Sequence, residues 1–126
     1  MLYREEILDH YRHPQNFGRL RQPTHRAGFE NSSCGDQIEV GLLVKDGRVI
    51  DVRFDGRGCA LSVASASLLT EAIKGLELAE VKHLALADVV KLIGEVNPGR
   101  HKCILMSLEA IKLALTNDPT TINRDR

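Results

Sequence analysis

Apolar residues recur at helical spacing at the start of the chain and then switch to alternation. Over Leu2–Arg12, Tyr3, Ile7, Leu8 and Tyr11 fall on one face with charges opposite, which predicts an amphipathic helix. Pro14 and Gly18 end it, and the polar run from Asn16 to Arg26 reads as a linker. From Gln37 the period drops to two. Ile38, Val40, Leu42 and Val44 alternate with other residues, Asp46-Gly47 supplies a tight turn, and the pattern returns over Val49 to Phe54. That combination predicts a β-hairpin, and Arg26–Glu30 predicts a third strand before it.

After Gly56-Arg57-Gly58-Cys59 the period becomes helical again. Leu61, Ala64, Leu68 and Ala72 form a stripe, with Gly75 placed to cap the end. Ala79 to Val96 predicts two short helices that stop before Asn97-Pro98-Gly99. A last helix from about Arg100 carries Ile104, Leu108, Ile111 and Leu115 on its buried face. The order of elements predicts an α+β fold: a small three-stranded antiparallel sheet covered by helices on one side. One domain is expected over residues 1–116, and the polar residues 117–126, with Pro119 among them, read as a loose C-terminal tail.

Composition narrows the function classes. The chain has 126 residues, enough for one core, with 43% hydrophobic and 27% charged residues. Lys+Arg and Asp+Glu both count 17, tryptophan is absent and aromatics are 4%, so neither a basic footprint nor a stacking platform for nucleic acid is present. The first residues, MLYREEILDH, are charged rather than apolar, and no stretch approaches the roughly 18 apolar residues of a membrane span. A reducing, cytoplasmic setting without membrane attachment is the expectation. There the three cysteines are expected to act as ligands, nucleophiles or core filler rather than as disulfides.

Each cysteine falls at an expected boundary between elements. Cys34 lies in Asn31–Glu39, NSSCGDQIE, in the turn that feeds the hairpin; Cys59 opens one helix and Cys103 lies in the first turn of another. Helix N-termini favour thiolate over thiol, so Cys59 and Cys103 are candidates for lowered pKa. Asp36, two residues from Cys34, would oppose ionisation of that thiol unless a cation lay between them. Three thiolates and a carboxylate would suit zinc or an iron–sulfur unit. The intervals of 25 and 44 positions between the cysteines are nevertheless unlike a zinc finger, and core packing of one or more thiols remains an equal alternative at this point. A Cys103/His101 nucleophilic pair is disfavoured, because residues two apart on a helix face different ways. His10, His13, His25 and His83 read as solvated surface histidines.

Taken in order, several segments resemble the U-type iron–sulfur cluster scaffold family, which includes IscU-like and SufU-like proteins and the N-terminal domain of NifU. They are Ile7-Leu8-Asp9-His10-Tyr11 with Pro14, Asn16 and Gly18; Cys34-Gly35-Asp36; Gly56-Arg57-Gly58-Cys59-Ala60-Leu61-Ser62 followed by Ala64-Ser65-Ala66-Ser67; and Arg100-His101-Lys102-Cys103. The resemblance implies a SufE/NifU-like sheet-and-helix fold and a site made of Cys34, Asp36, Cys59 and Cys103. It implies persulfide sulfur received from a cysteine desulfurase, with Cys103 or Cys34 as acceptor. The cargo would be a transient [2Fe–2S] cluster passed to apo iron–sulfur proteins, or the site would hold Zn2+ in a sulfur relay. A scaffold or carrier is expected rather than a turnover enzyme, with sulfurtransferase activity as the alternative. Lys102 stands where IscU-like proteins have histidine, and Asn97-Pro98-Gly99 replaces the stretch their chaperone recognises, which argues against that chaperone as a partner. Ala64-Ser65-Ala66-Ser67 and the Arg-x-Lys-Cys pattern are similar to SufU-like members, but the interval from Cys59 to Cys103 leaves no room for the insertion those members carry.

Overall fold

The computed structural model describes residues 4–31 and 35–116, and the backbone of 122–124. Helix α1 (Glu5–Arg12) precedes three strands, β1 (His25–Asn31), β2 (Asp36–Lys45) and β3 (Arg48–Arg57). Helix α2 (Ala60–Ile73), the short α3 (Leu78–Lys82) and α4 (Leu86–Ile93), and the long α5 (His101–Thr116) follow; a 3-10 turn over Pro98–Arg100 leads into α5. The strands pair antiparallel, β1 with β2 and β2 with β3, as the alternation predicts. A fourth strand, β4 (Ile122–Arg124), pairs parallel with β1 and gives the order β3-β2-β1-β4. It falls within the stretch read as a loose tail, whose other residues from 117 on lie outside the described ones.

Asp46 and Gly47 both take positive φ, 53° and 76°, the geometry that suits a two-residue hairpin turn between right-twisted strands. One register shift follows. Leu43 pairs with Asp51 and Val44 with Val49, so Ile50 is an extra residue on β3 and is 52% exposed. This bulge lets Val49 and Val52, an odd number of residues apart, both point into the core.

Helix α5 packs on β1 and β2, α2 packs on β3 and α5, and α1 and α4 flank α2. The expected α2 stripe is only partly right. Leu61 and Ala64 are buried, but Ala72 is exposed and Leu68 half-buried, while Ser62, Ser65, Ala66, Ser67, Leu69, Thr70 and Ile73 are buried as well. Enclosed by α1, α4, α5 and the sheet, α2 has almost no solvent face, and its small Ser and Ala side chains permit that close approach. In α5, Ile104, Leu108 and Ile111 are buried as expected, with Leu115 half-buried.

The linker after α1 is more structured than its polarity suggests. Asn16 is buried at φ 62°; its side chain donates to Thr70 Oγ1 and Glu71 Oε1, both at 2.9 Å, and its carbonyl accepts from Phe54 N–H. Phe17 packs edge-on against Phe54 with ring centroids 5.4 Å apart, so this segment covers the outer edge of β3. His10 is likewise not a solvated histidine. It is half-buried, and its Nδ1 lies 2.7 Å from the hydroxyl of buried Ser67, which also accepts from Gln15 N–H.

Candidate metal and sulfur site

Three elements converge at one end of the sheet. Asp36 is the first residue of β2, and strand parity places it on the same face as Ile38, Val40 and Leu42, the face covered by α2 and α5. Cys59 is the N-cap of α2, in extended conformation at φ −71° and ψ 170°, and its carbonyl accepts from Val63 N–H. Cys103 is the third residue of α5. Ligand atoms of Asp36, Cys59 and Cys103 all lie within 4.8 Å of one another, and all three residues are half-buried. Among the described residues this is the one such group of at least three potential ligands, and His101 is not in it. Cys34 lies outside the described residues.

Glycine makes the convergence possible. A Cβ on Gly58 would stand 2.9 Å from Ser62 Cβ and 3.3 Å from both Cγ and Oδ2 of Asp36, so the chain reaches Cys59 only because Gly58 has no side chain. Gly56 takes φ 137°, and a Cβ there would run into the Gln37 carbonyl on the partner strand.

The carboxylate is held by two donors on one oxygen. Asp36 Oδ2 accepts from Cys59 N–H at 3.3 Å and from the Ser62 hydroxyl at 3.1 Å. The Ser62 hydroxyl also lies 3.3 Å from Cys59 Sγ. Burial pushes the Cys59 thiol up, but hydrogen bonds from the Ser62 hydroxyl and amide, from Cys103 and from the Leu61 amide outweigh it and hold Cys59 below its ordinary value. Cys103 goes the other way. Burial raises it, as do the neighbouring Cys59 charge and its hydrogen bond, and the Arg100 guanidinium offsets only part of this. Helix position therefore anticipates Cys59 and not Cys103: two sulfurs this close cannot both ionise easily without a cation.

The donor set suits a thiophilic metal. Tetrahedral zinc with Zn–S near 2.3 Å needs its sulfur ligands about 3.8 Å apart. Ligand atoms within 4.8 Å of one another need contract by no more than roughly 1 Å to meet that spacing. Ser62 was not singled out by sequence reasoning as a site residue. The available signal was its position three residues after Cys59, which returns a helical side chain toward the helix start.

An α+β domain that brings two thiols and a carboxylate together from three distant segments defines a class of metal- or sulfur-handling proteins. The chain belongs to the NifU-like N terminal domain family, whose description matches residues 2–124. It is similar to the iron–sulfur cluster assembly scaffold protein IscU of Escherichia coli K12, at 32% identity over 93% of this chain and 94% of that protein. It is similar also to the zinc-dependent sulfurtransferase SufU of Bacillus subtilis, at 31% identity over 93% of this chain and 91% of that protein. The second match runs over 135 aligned positions, more than the 126 residues of this chain, so that relative carries residues without a counterpart here. Among solved structures, a SufU-type scaffold protein from Fervidobacterium islandicum superposes with a TM-score of 0.78 at 25% identity, covering 90% of this chain and 96% of that one. Among the described residues no helix is long and apolar enough to cross a membrane.

Proposed function

We propose that this protein is an iron–sulfur cluster assembly scaffold: it accepts persulfide sulfur from a cysteine desulfurase, holds a [2Fe–2S] cluster as cargo, and releases it to apo-proteins in a reducing cytoplasm. The observation that carries this reading is the gathering of Asp36, Cys59 and Cys103 ligand atoms within 4.8 Å by three distant segments. Cys34, two residues before Asp36, is the proposed fourth donor.

In sulfur uptake the thiolate of Cys103 attacks the outer sulfur of the desulfurase persulfide. The new bond forms as the old S–S bond breaks, and the desulfurase cysteine leaves as thiolate. Arg100 favours the charged form of Cys103. A pocket of about 180 Å3 lies beside the first turns of α5, lined by Phe29, Asn31, Lys102, Leu105, Met106 and Glu109. Cys59, the more readily ionised thiol, serves as a ligand. Thiolates match cluster iron well and a hard carboxylate less well, so Asp36 is the corner at which exchange begins.

The relative named a zinc-dependent sulfurtransferase favours a second reading, in which the same residues hold Zn2+ and Cys34 takes and passes on sulfur without any cluster. One experiment separates the two. The protein is given iron, cysteine and a desulfurase without oxygen, and visible absorption is followed before apo-ferredoxin is added. Cluster bands that move to the ferredoxin support the scaffold. Persulfide transfer with zinc retained and no cluster bands supports the relay and overturns the scaffold.

A further inference from the structure

We propose that Ser62 is a positioning residue of this site: its hydroxyl, together with the Cys59 amide, clamps Oδ2 of Asp36 and so fixes how the carboxylate is presented beside the two thiols. The inference rests on the reading of Asp36, Cys59 and Cys103 as metal ligands and adds to it a residue that touches no metal.

Ser62 lies in the first turn of α2 and is 4% exposed, so the hydroxyl is enclosed and its rotamer restricted. It has one proton to give. Three acceptors surround it: Asp36 Oδ2 at 3.1 Å, Cys59 Sγ at 3.3 Å and Met106 Sδ at 3.8 Å. The carboxylate oxygen is both the nearest and the hardest acceptor and takes the larger share of that proton, with Cys59 Sγ taking the lesser share. The second donor on the same oxygen, the Cys59 amide, is backbone at the start of a helix and cannot swing away. Two donors, from the N-cap and the first turn of one helix, therefore fix Asp36, which belongs to a different element. Gly58 keeps this space clear, since its Cβ would meet both Ser62 and Asp36. A ligating carboxylate usually needs such a partner, and loss of the partner weakens metal binding by about 10- to 100-fold.

The test is a cobalt(II) titration of metal-stripped protein, because cobalt d–d bands report both affinity and tetrahedral geometry. Wild type, Ser62→Ala, Asp36→Ala and the double variant are compared, with thermal melts of the stripped proteins to verify folding. The expected result is that Ser62→Ala weakens cobalt binding about 10- to 100-fold and lowers d–d intensity. In the Asp36→Ala background the same change should cost clearly less, since only the contact of the Ser62 hydroxyl with Cys59 Sγ is then left to lose. An equal loss in both backgrounds would mark a merely structural residue and overturn the proposal, as would wild-type affinity in Ser62→Ala. Cys59→Ser separates the two levels. If it binds cobalt as wild type does, the shared site itself is wrong and the Ser62 inference falls with it. If Cys59→Ser loses cobalt while Ser62→Ala does not, only the Ser62 inference is overturned.

Discussion

Replacing Gly58 by alanine adds a single methyl group at the point where Asp36 and α2 meet. Its Cβ would lie 2.9 Å from Ser62 Cβ and 3.3 Å from the Asp36 carboxylate carbon. Carbon atoms prefer about 3.5–4.0 Å, so one or both neighbours must move by roughly half an ångström or more. Ser62 Cβ is fixed to a helix enclosed on nearly all sides, so the displacement falls on Asp36 at the end of β2. Overpacking of this kind costs about 1–3 kcal/mol, and the stiffer unfolded chain of Gly→Ala offsets about 0.4–1 kcal/mol, leaving a net loss between roughly 0 and 2.6 kcal/mol. For a chain of this length that lowers Tm by about 3–5 °C per kcal/mol. Metal affinity should fall more than stability does, by about 10- to 100-fold, because the carboxylate loses its clamp. Urea unfolding of the stripped protein and zinc competition against a chromophoric chelator measure the two effects separately. Wild-type zinc affinity in Gly58→Ala would refute the close packing of Gly58, Ser62 and Asp36 on which the argument depends.

Three further outcomes follow from the same structure. Asp36→Ala should lengthen the life of an assembled cluster, followed by the decay of its visible absorption in the presence of a chelator, and an unchanged or shorter life would count against a labile carboxylate corner; affinity for a single ion can fall in the same variant, because affinity counts donors whereas lifetime depends on the donor that leaves first. In metal-stripped protein, Cys59 should react with iodoacetamide faster than Cys103 near neutral pH, since a lowered pKa enlarges the thiolate fraction there and a raised one reduces it; peptide mass spectrometry showing the reverse order would contradict the electrostatics. Asn16→Ala should destabilise the protein by about 2–3 kcal/mol in urea, through two lost side-chain hydrogen bonds and a left-handed backbone that alanine tolerates poorly, and a loss under about 0.5 kcal/mol would be inconsistent with its buried role.

The hairpin was legible because its two signals, period-two alternation and Asp46-Gly47, are local and agree. The bulge at Ile50 was not, since alternation cannot show which residue a strand will leave unpaired. Helix α2 misled for a different reason. The expected stripe of Leu61, Ala64, Leu68 and Ala72 left its serines out, yet Ser62, Ser65 and Ser67 are buried where small side chains let α1 and α5 approach. Asn16 was read as linker because a buried polar side chain looks, in sequence, like an exposed one; only its partners Thr70 and Glu71 distinguish the two, and they lie over fifty residues away. Strand β4 gives no apolar pattern at all in three residues. At the site, the helix start that favours thiolate was visible for Cys59 and Cys103 alike. The proximity that raises Cys103 is a contact between distant segments and had no local signature. Spacing alone did not unite Asp36, Cys59 and Cys103; it took the family resemblance to expect them together.

The central claim is that one site built from these residues holds a cluster while it is being made. The most direct measurement is iron and acid-labile sulfide per chain after desulfurase-driven anaerobic assembly, in wild type and in Cys59→Ser. The account predicts iron and sulfide in equal amounts on the wild type and almost none on the variant, with the variant still folded. Equal loading of both proteins, or sulfur without iron on the wild type, would contradict it.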